Sequence, residues 1–170
     1  MAIQNAVQEP NPPLRDHAQE VPLRKKTYDY LEEMADNMRE TMKTLDGIGI
    51  AAPQIGESLR LFLIEKESFP EQELPSDVFI NPKIIRSSFK LLDGEEGCLS
   101  VKGVFGTVKR HASVTVEAYN LSGKKFRLTG KDLLARVLQH ETDHLSGILF
   151  IDKAEPDSLH TYIREEHEHN

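Results

Sequence analysis

Between Thr27 and Leu45 the apolar residues Leu31, Met34, Ala35, Met38, Met42 and Leu45 recur at helical spacing, with acids early and Lys43 late, as a helix dipole favours. This pattern predicts an amphipathic helix laid on a core, its methionines filling irregular apolar gaps. Asp46-Gly47 ends it. Leu59–Glu65 reads as a strand, and Val78–Arg86 as another that Asn81-Pro82 interrupts, which predicts an edge or bulged strand. Val114–Tyr119 and Lys125–Leu128 alternate apolar with polar about Asn120-Leu-Ser-Gly123, the pattern of a hairpin. Beyond them Leu133, Leu134, Val137, Leu138 and Leu145 are apolar around more than one stripe, so this helix is mostly buried. Thr129-Gly-Lys-Asp132 is placed to form its capping box and Gly147 to stop it. The order predicts an α+β fold: mainly antiparallel sheets packed around a central helix, with the amphipathic N-terminal helix on the outside.

The two ends carry weaker patterns. Residues 1–22 are rich in Pro, Asn, Gln and Glu and read as an irregular strap, with no chemistry assigned. Residues 156–170 read as a short helix around Leu159 and Ile163 followed by a polar tail, in which His167 and His169 are solvated. A length of 170 residues fits a single domain, residues 1–170, with a sizeable core. A net charge of −7 argues against a broad electrostatic grip on nucleic acid or an anionic membrane. No apolar run approaches a membrane span and no signal-peptide core is present, so a soluble, cytoplasmic protein is expected. The only cysteine, Cys98, allows no internal disulfide and is a candidate ligand or nucleophile.

Chemistry concentrates in Gln139-His-Glu-Thr-Asp-His-Leu-Ser-Gly147. On a helix His140 and His144 stand one turn apart on one face, able to share a metal ion, with Glu141 beside it as a proton acceptor. The plainer alternative is a pair of core histidines bonded to the backbone. A catalytic site needs a third protein ligand. One extended form of the motif takes it from a histidine shortly after a glycine; Gly147 matches that glycine, but Phe150 occupies the histidine position. Cys98, in the glycine-bracketed polar loop Gly94–Ser100, would complete a three-ligand set with a fourth position open; a small buried hydrophobe is the alternative. Glu165 or Glu166 would serve instead in a zinc peptidase. Gly47-Ile-Gly-Ile-Ala-Ala-Pro-Gln54 is small enough to wall a peptide site, or is a buried turn with Gln54 bonded to main chain.

Together Gly47–Gln54, Glu96-Gly-Cys-Leu-Ser100 and Gln139–Gly147, in that order, resemble the peptide deformylases, and Pro12-Pro-Leu-Arg15, Ile80-Asn-Pro82 and Gly147-Ile-Leu-Phe150 extend the resemblance over nearly the whole chain. The resemblance implies removal of the formyl group from the N-terminal formyl-methionine of nascent peptides, in bacteria or organelles. It implies Cys98, His140 and His144 as metal ligands, Glu141 as general base and acid, and Gln54 with the Leu99 main-chain N–H as donors to the formyl oxygen. Ile48 and Gly49 would face substrate. The implied ion is Fe(II), with zinc, nickel or cobalt as substitutes. A transient ribosome contact is implied too, although the acidic tail differs from the basic tails associated with it. Lys102 stands where most members have proline, which bears on peptide preference, not on a chemical role. A catalytically silent metal-binding relative would lack Glu141 or Gln54, and both are present.

Overall fold

The computed structural model describes residues 5–162. A five-stranded antiparallel sheet runs in the order β1 (Gly49–Ala51), β2 (Leu61–Ile64), β3 (Val78–Ser87), β6 (Ser113–Tyr119), β7 (Lys125–Lys131). A second sheet of three strands runs β4 (Leu91–Cys98), β5 (Val101–His111), β8 (His160–Thr161). Helix α2 (Asp132–His144) touches strands of both sheets, and α1 (Lys25–Thr44) covers the other face of the larger one. The expected α+β fold of antiparallel sheets around a central helix is what the chain adopts.

The layering explains the sequence pattern. Every residue of β2 is buried because both faces of its sheet are covered: Phe62 and Ile64 pack with Leu134, Ala135 and Leu138 of α2, while Leu61 and Leu63 pack with Leu31, Met34 and Met38 of α1. The methionine stripe is core, with Met34, Met38 and Met42 all buried. Gly147 stops the helical run as expected: its φ is +69°, and Ile148 N–H donates to the Asp143 carbonyl across it.

Three expectations need correction and one, left open between two forms, is resolved. The Thr129–Asp132 capping box does not form, because Thr129 lies in β7 and its hydroxyl bonds Thr115 across the strand pair at 2.9 Å; Lys131 is the N-cap and offers no side-chain bond. Of the two expected forms, edge or bulged, Val78–Arg86 takes the bulged one, pairing with β2 on one side and β6 on the other. Its register breaks around Asn81-Pro82, where the missing proline N–H is tolerated, and the Asn81 amide turns outward to pair with both main-chain groups of Val21 in the strap. The stretch Gly94–Ser100 is no free loop: through Cys98 it belongs to β4, and only Leu99 and Ser100 form the turn into β5. Leu159 lies in no helix; a 3₁₀ turn at Pro156–Ser158 leads directly into β8. Ile163, Glu165, Glu166, His167 and His169 lie outside the described residues.

Candidate metal centre

Two elements meet at the centre. Helix α2 presents His140 and His144 one turn apart, and β4 ends on Cys98, so that one ligand atom from each lies within 4.8 Å of the others. The Cys98 sulfur is 3.3 Å from His144 Nε2. Among the described residues this is the one group of His, Cys, Asp or Glu side chains so gathered. A sulfur and two imidazole nitrogens suit Zn(II) or Fe(II) and leave a fourth position for water or substrate. Phe150, where the extended motif would have its third histidine, is instead a buried wall whose ring lies 6.4 Å from that of His140.

Behind His140 stands Glu96, whose role the sequence reading passed over. His140 Nδ1 donates to Glu96 Oε2 at 2.9 Å, which leaves Nε2 free for a cation and fixes the ring. Glu96 also accepts Arg110 Nε and Nη2 at 2.9 and 3.0 Å and Arg136 Nη1 at 2.9 Å. Its side chain and that of Arg110 are about as buried as the hydrophobic core, 4% and 3% exposed. Burial alone would raise the Glu96 carboxyl, but hydrogen bonds from His140 and Arg110 outweigh it and hold the group well below the usual carboxylate range. Gly94 makes room for this network, since a Cβ there would stand 2.7 Å from the Arg136 guanidinium.

The field splits the two histidines. Burial opposes charge on His140, yet hydrogen bonds to Cys98 and Glu96 raise its pKa well above the ordinary value; burial, then the charge on His140, push His144 well below it. His140 holds a proton beside the sulfur while His144 is neutral, and a divalent cation bound by the sulfur and both imidazoles would take that proton's place. The donor set fits such an ion.

Glu141 sits beside this space, 3% exposed, with Oε2 buried and unpartnered. Burial pushes its carboxyl up to about 7, against the opposing charge of His140. A carboxyl so poised both takes and returns a proton at neutral pH. Its other oxygen lies against Gly49 of β1: a Cβ there would stand 2.5 Å from Glu141 Oε1, so only glycine allows the approach. Ile48, next to it, is 36% exposed.

Gln54 faces the same space from a 3₁₀ turn, Ala52–Ile55. Its Oε1 accepts the Ala51 N–H at 2.8 Å, and because that N–H can only donate, the amide orientation is fixed. The NH₂ group therefore points to Ser100 Oγ at 3.2 Å and the Cys98 sulfur at 3.5 Å. Leu99 follows Cys98 in the turn, one residue from the sulfur. Cys98, His140 and His144 thus gather on this centre with Glu141 and Gln54 beside them, and what sequence passed over is the support: Glu96, Arg110 and Arg136.

Known proteins resemble this chain along most of its length. Residues 3–159 match the family model for polypeptide deformylase. A peptide deformylase of Desulforudis audaxviator is 44% identical over 154 residues, 91% of this chain and 95% of that one. Among solved structures, a Synechococcus elongatus peptide deformylase in complex with actinonin is 39% identical with a TM-score of 0.79, covering 89% of this chain and 79% of that one. A class I type b peptide deformylase from Acinetobacter baumannii, solved with Met-Ala-Ser bound, is 33% identical with a TM-score of 0.81, covering 89% and 98%. With its fold and nearly its whole length matched, this chain belongs to the polypeptide deformylase family.

Proposed function

We propose that the protein hydrolyses the formyl amide of N-terminal formyl-methionine on newly made chains, with Cys98, His140 and His144 holding a divalent ion and Glu141 moving the protons. The carrying observation is the three ligand atoms within 4.8 Å of one another beside a buried, unpartnered Glu141 oxygen. When bound, the ion acidifies water towards a pKa of about 7 and so supplies the nucleophile at neutral pH. Glu141 takes the proton that water gives up and delivers it to the departing amine. The Gln54 NH₂, held in orientation by Ala51, and the Leu99 N–H donate to the formyl oxygen as it gains charge, each worth about 3 kcal/mol in the transition state. The peptide lies extended along the open edge of β1, with Ile48 and the Gly49 backbone against it.

We take the ion to be Fe(II), with zinc, nickel and cobalt as substitutes, because the thiolate and imidazole donors accept all four and the resemblance favours iron. The substrate class follows from the family and from the Met-Ala-Ser held by the Acinetobacter relative. We place the protein in the cytoplasm of a bacterium or within an organelle, where formylated chains are made; no helix of the described residues is long and apolar enough to cross a membrane. Purified protein should release formate from formyl-Met-Ala and leave Met-Ala-X peptides intact. Cleavage of the peptide bond with no formate released would instead mark a zinc peptidase.

A further inference from the structure

The strap at the N-terminus crosses both walls of the catalytic centre. Val7 N–H donates to the Gln54 carbonyl at 2.7 Å, and Glu9 N–H donates to the Ser100 carbonyl at 2.9 Å. Between them the Gln8 side chain is fully engaged. Its Nε2 donates to the Leu99 carbonyl at 2.8 Å and to the Ala6 carbonyl at 3.0 Å, while its Oε1 accepts the Lys102 N–H at 3.3 Å. An exposed glutamine with both donors and its acceptor committed to main chain behaves as a strand segment would.

The groups it holds are those the hairpin leaves unpaired. Gly97 of β4 faces Phe105 but Cys98 faces Val101, so Lys102, Gly103 and Val104 bulge out of that ladder, with Gly103 at φ +77°. The bulge leaves the Lys102 N–H without a place on β4, and the turn carries the Leu99 carbonyl on the peptide plane that follows the Leu99 N–H. Only the φ and ψ of Leu99 separate that carbonyl from the Leu99 N–H, so holding the one constrains where the other points. We propose that Gln8 is a positioning residue for the reaction: its amide clamps the Leu99–Lys102 turn and so aims the Leu99 N–H at the formyl oxygen. The clamp rests on the reading that Leu99 N–H is one of the two oxyanion donors.

The experiment uses the full chain loaded with nickel, turning over formyl-Met-Ala, in Gln8→Ala, Gln8→Glu, Lys102→Pro and the Gln8→Ala/Lys102→Pro double variant. Misaiming one donor should lower kcat about 10-fold in Gln8→Ala, with KM, nickel content and Tm near wild type. Gln8→Glu should fall as far, because it keeps an acceptor for Lys102 but sets a carboxylate against the Leu99 carbonyl. Proline at 102 removes the N–H that Gln8 satisfies, fixes φ in the bulge and forfeits no bond to β4, so the double variant should recover most of the rate. A kcat within twofold of wild type in both Gln8 variants would overturn the clamp. So would a loss that merely tracks lost nickel or lost Tm, or a double variant no faster than Gln8→Ala. A wild type inactive on formyl-Met-Ala would remove the underlying reading instead, so the two failures are separable.

Discussion

Glu96→Gln probes the support behind the metal ligands. The substitution keeps the shape and one acceptor but removes the negative charge that Arg110, Arg136 and His140 share, and leaves the buried guanidinium of Arg110 and the partly buried one of Arg136 facing an amide. Removing one partner of a buried pair costs about 3–5 kcal/mol, and because Gln still accepts one bond the lower end applies. At about 2–4 °C per kcal/mol for a chain of this size, that is a Tm lower by roughly 6–12 °C. With His140 no longer oriented by a carboxylate, metal affinity should fall roughly 10–100-fold. Differential scanning calorimetry and competition with a chromophoric chelator read the two effects separately. The same carboxylate predicts a pH signature. Its folded pKa is depressed, so its contribution is present above the unfolded value of about 4.3 and is lost as pH falls through that value towards the lower folded one. Wild type should therefore lose stability below about pH 4.3 more steeply than Glu96→Gln. A variant with unchanged Tm, unchanged affinity and a parallel acid profile would refute the assignment of Glu96.

Three further outcomes follow. Cys98→Ala should lose bound metal as severely as His140→Ala, read by plasma emission spectrometry after dialysis; full retention would mean that the third ligand lies elsewhere. Gly49→Ala should keep its metal but lose about 10²-fold in kcat, because the new Cβ displaces the Glu141 carboxylate it would crowd at 2.5 Å. Iron-loaded protein should lose activity in air and keep it under argon, while the nickel form survives both; equal decay would contradict an oxidisable ferrous thiolate site.

How much of this was legible in the sequence depended on whether hydrophobic period and burial agreed. In α1 and the β6–β7 hairpin they did, and the elements emerged within a few residues of their bounds. In β4 and β5 they did not. The inward positions of that hairpin are Gly94, Glu96, Cys98, Gly106, Val108 and Arg110, of which only Val108 is aliphatic, so much of its core face is a charged pair where most strands bury aliphatic side chains. It therefore read as a loop around a cysteine. The capping box failed for a related reason: Thr129 found a cross-strand partner in Thr115, a contact no local pattern reveals. The site residues were legible because their types and spacing are chemically restrictive. Their supports were not, since Arg110 and Arg136 look like ordinary surface arginines until Glu96 is brought between them. The strap carried no hydrophobic period, and its hydrogen bonds to Gln54, Ser58, Asn81, Ser100 and Leu145 disclose its place.

The central claim is that Glu141 is the proton carrier, and turnover of metal-loaded Glu141→Gln on a formyl-Met peptide tests it most directly. Glutamine keeps the volume against Gly49 and leaves Cys98, His140 and His144 to hold the ion, so the variant should fold and carry a full equivalent of nickel. Unable to accept the proton, it should lose turnover by roughly 10³–10⁴-fold in kcat, the upper part of the range for general acid–base catalysis, since one residue serves both transfers. A fully loaded Glu141→Gln enzyme within about tenfold of wild type would contradict the mechanism, because that is less than the smallest loss general acid–base catalysis typically leaves.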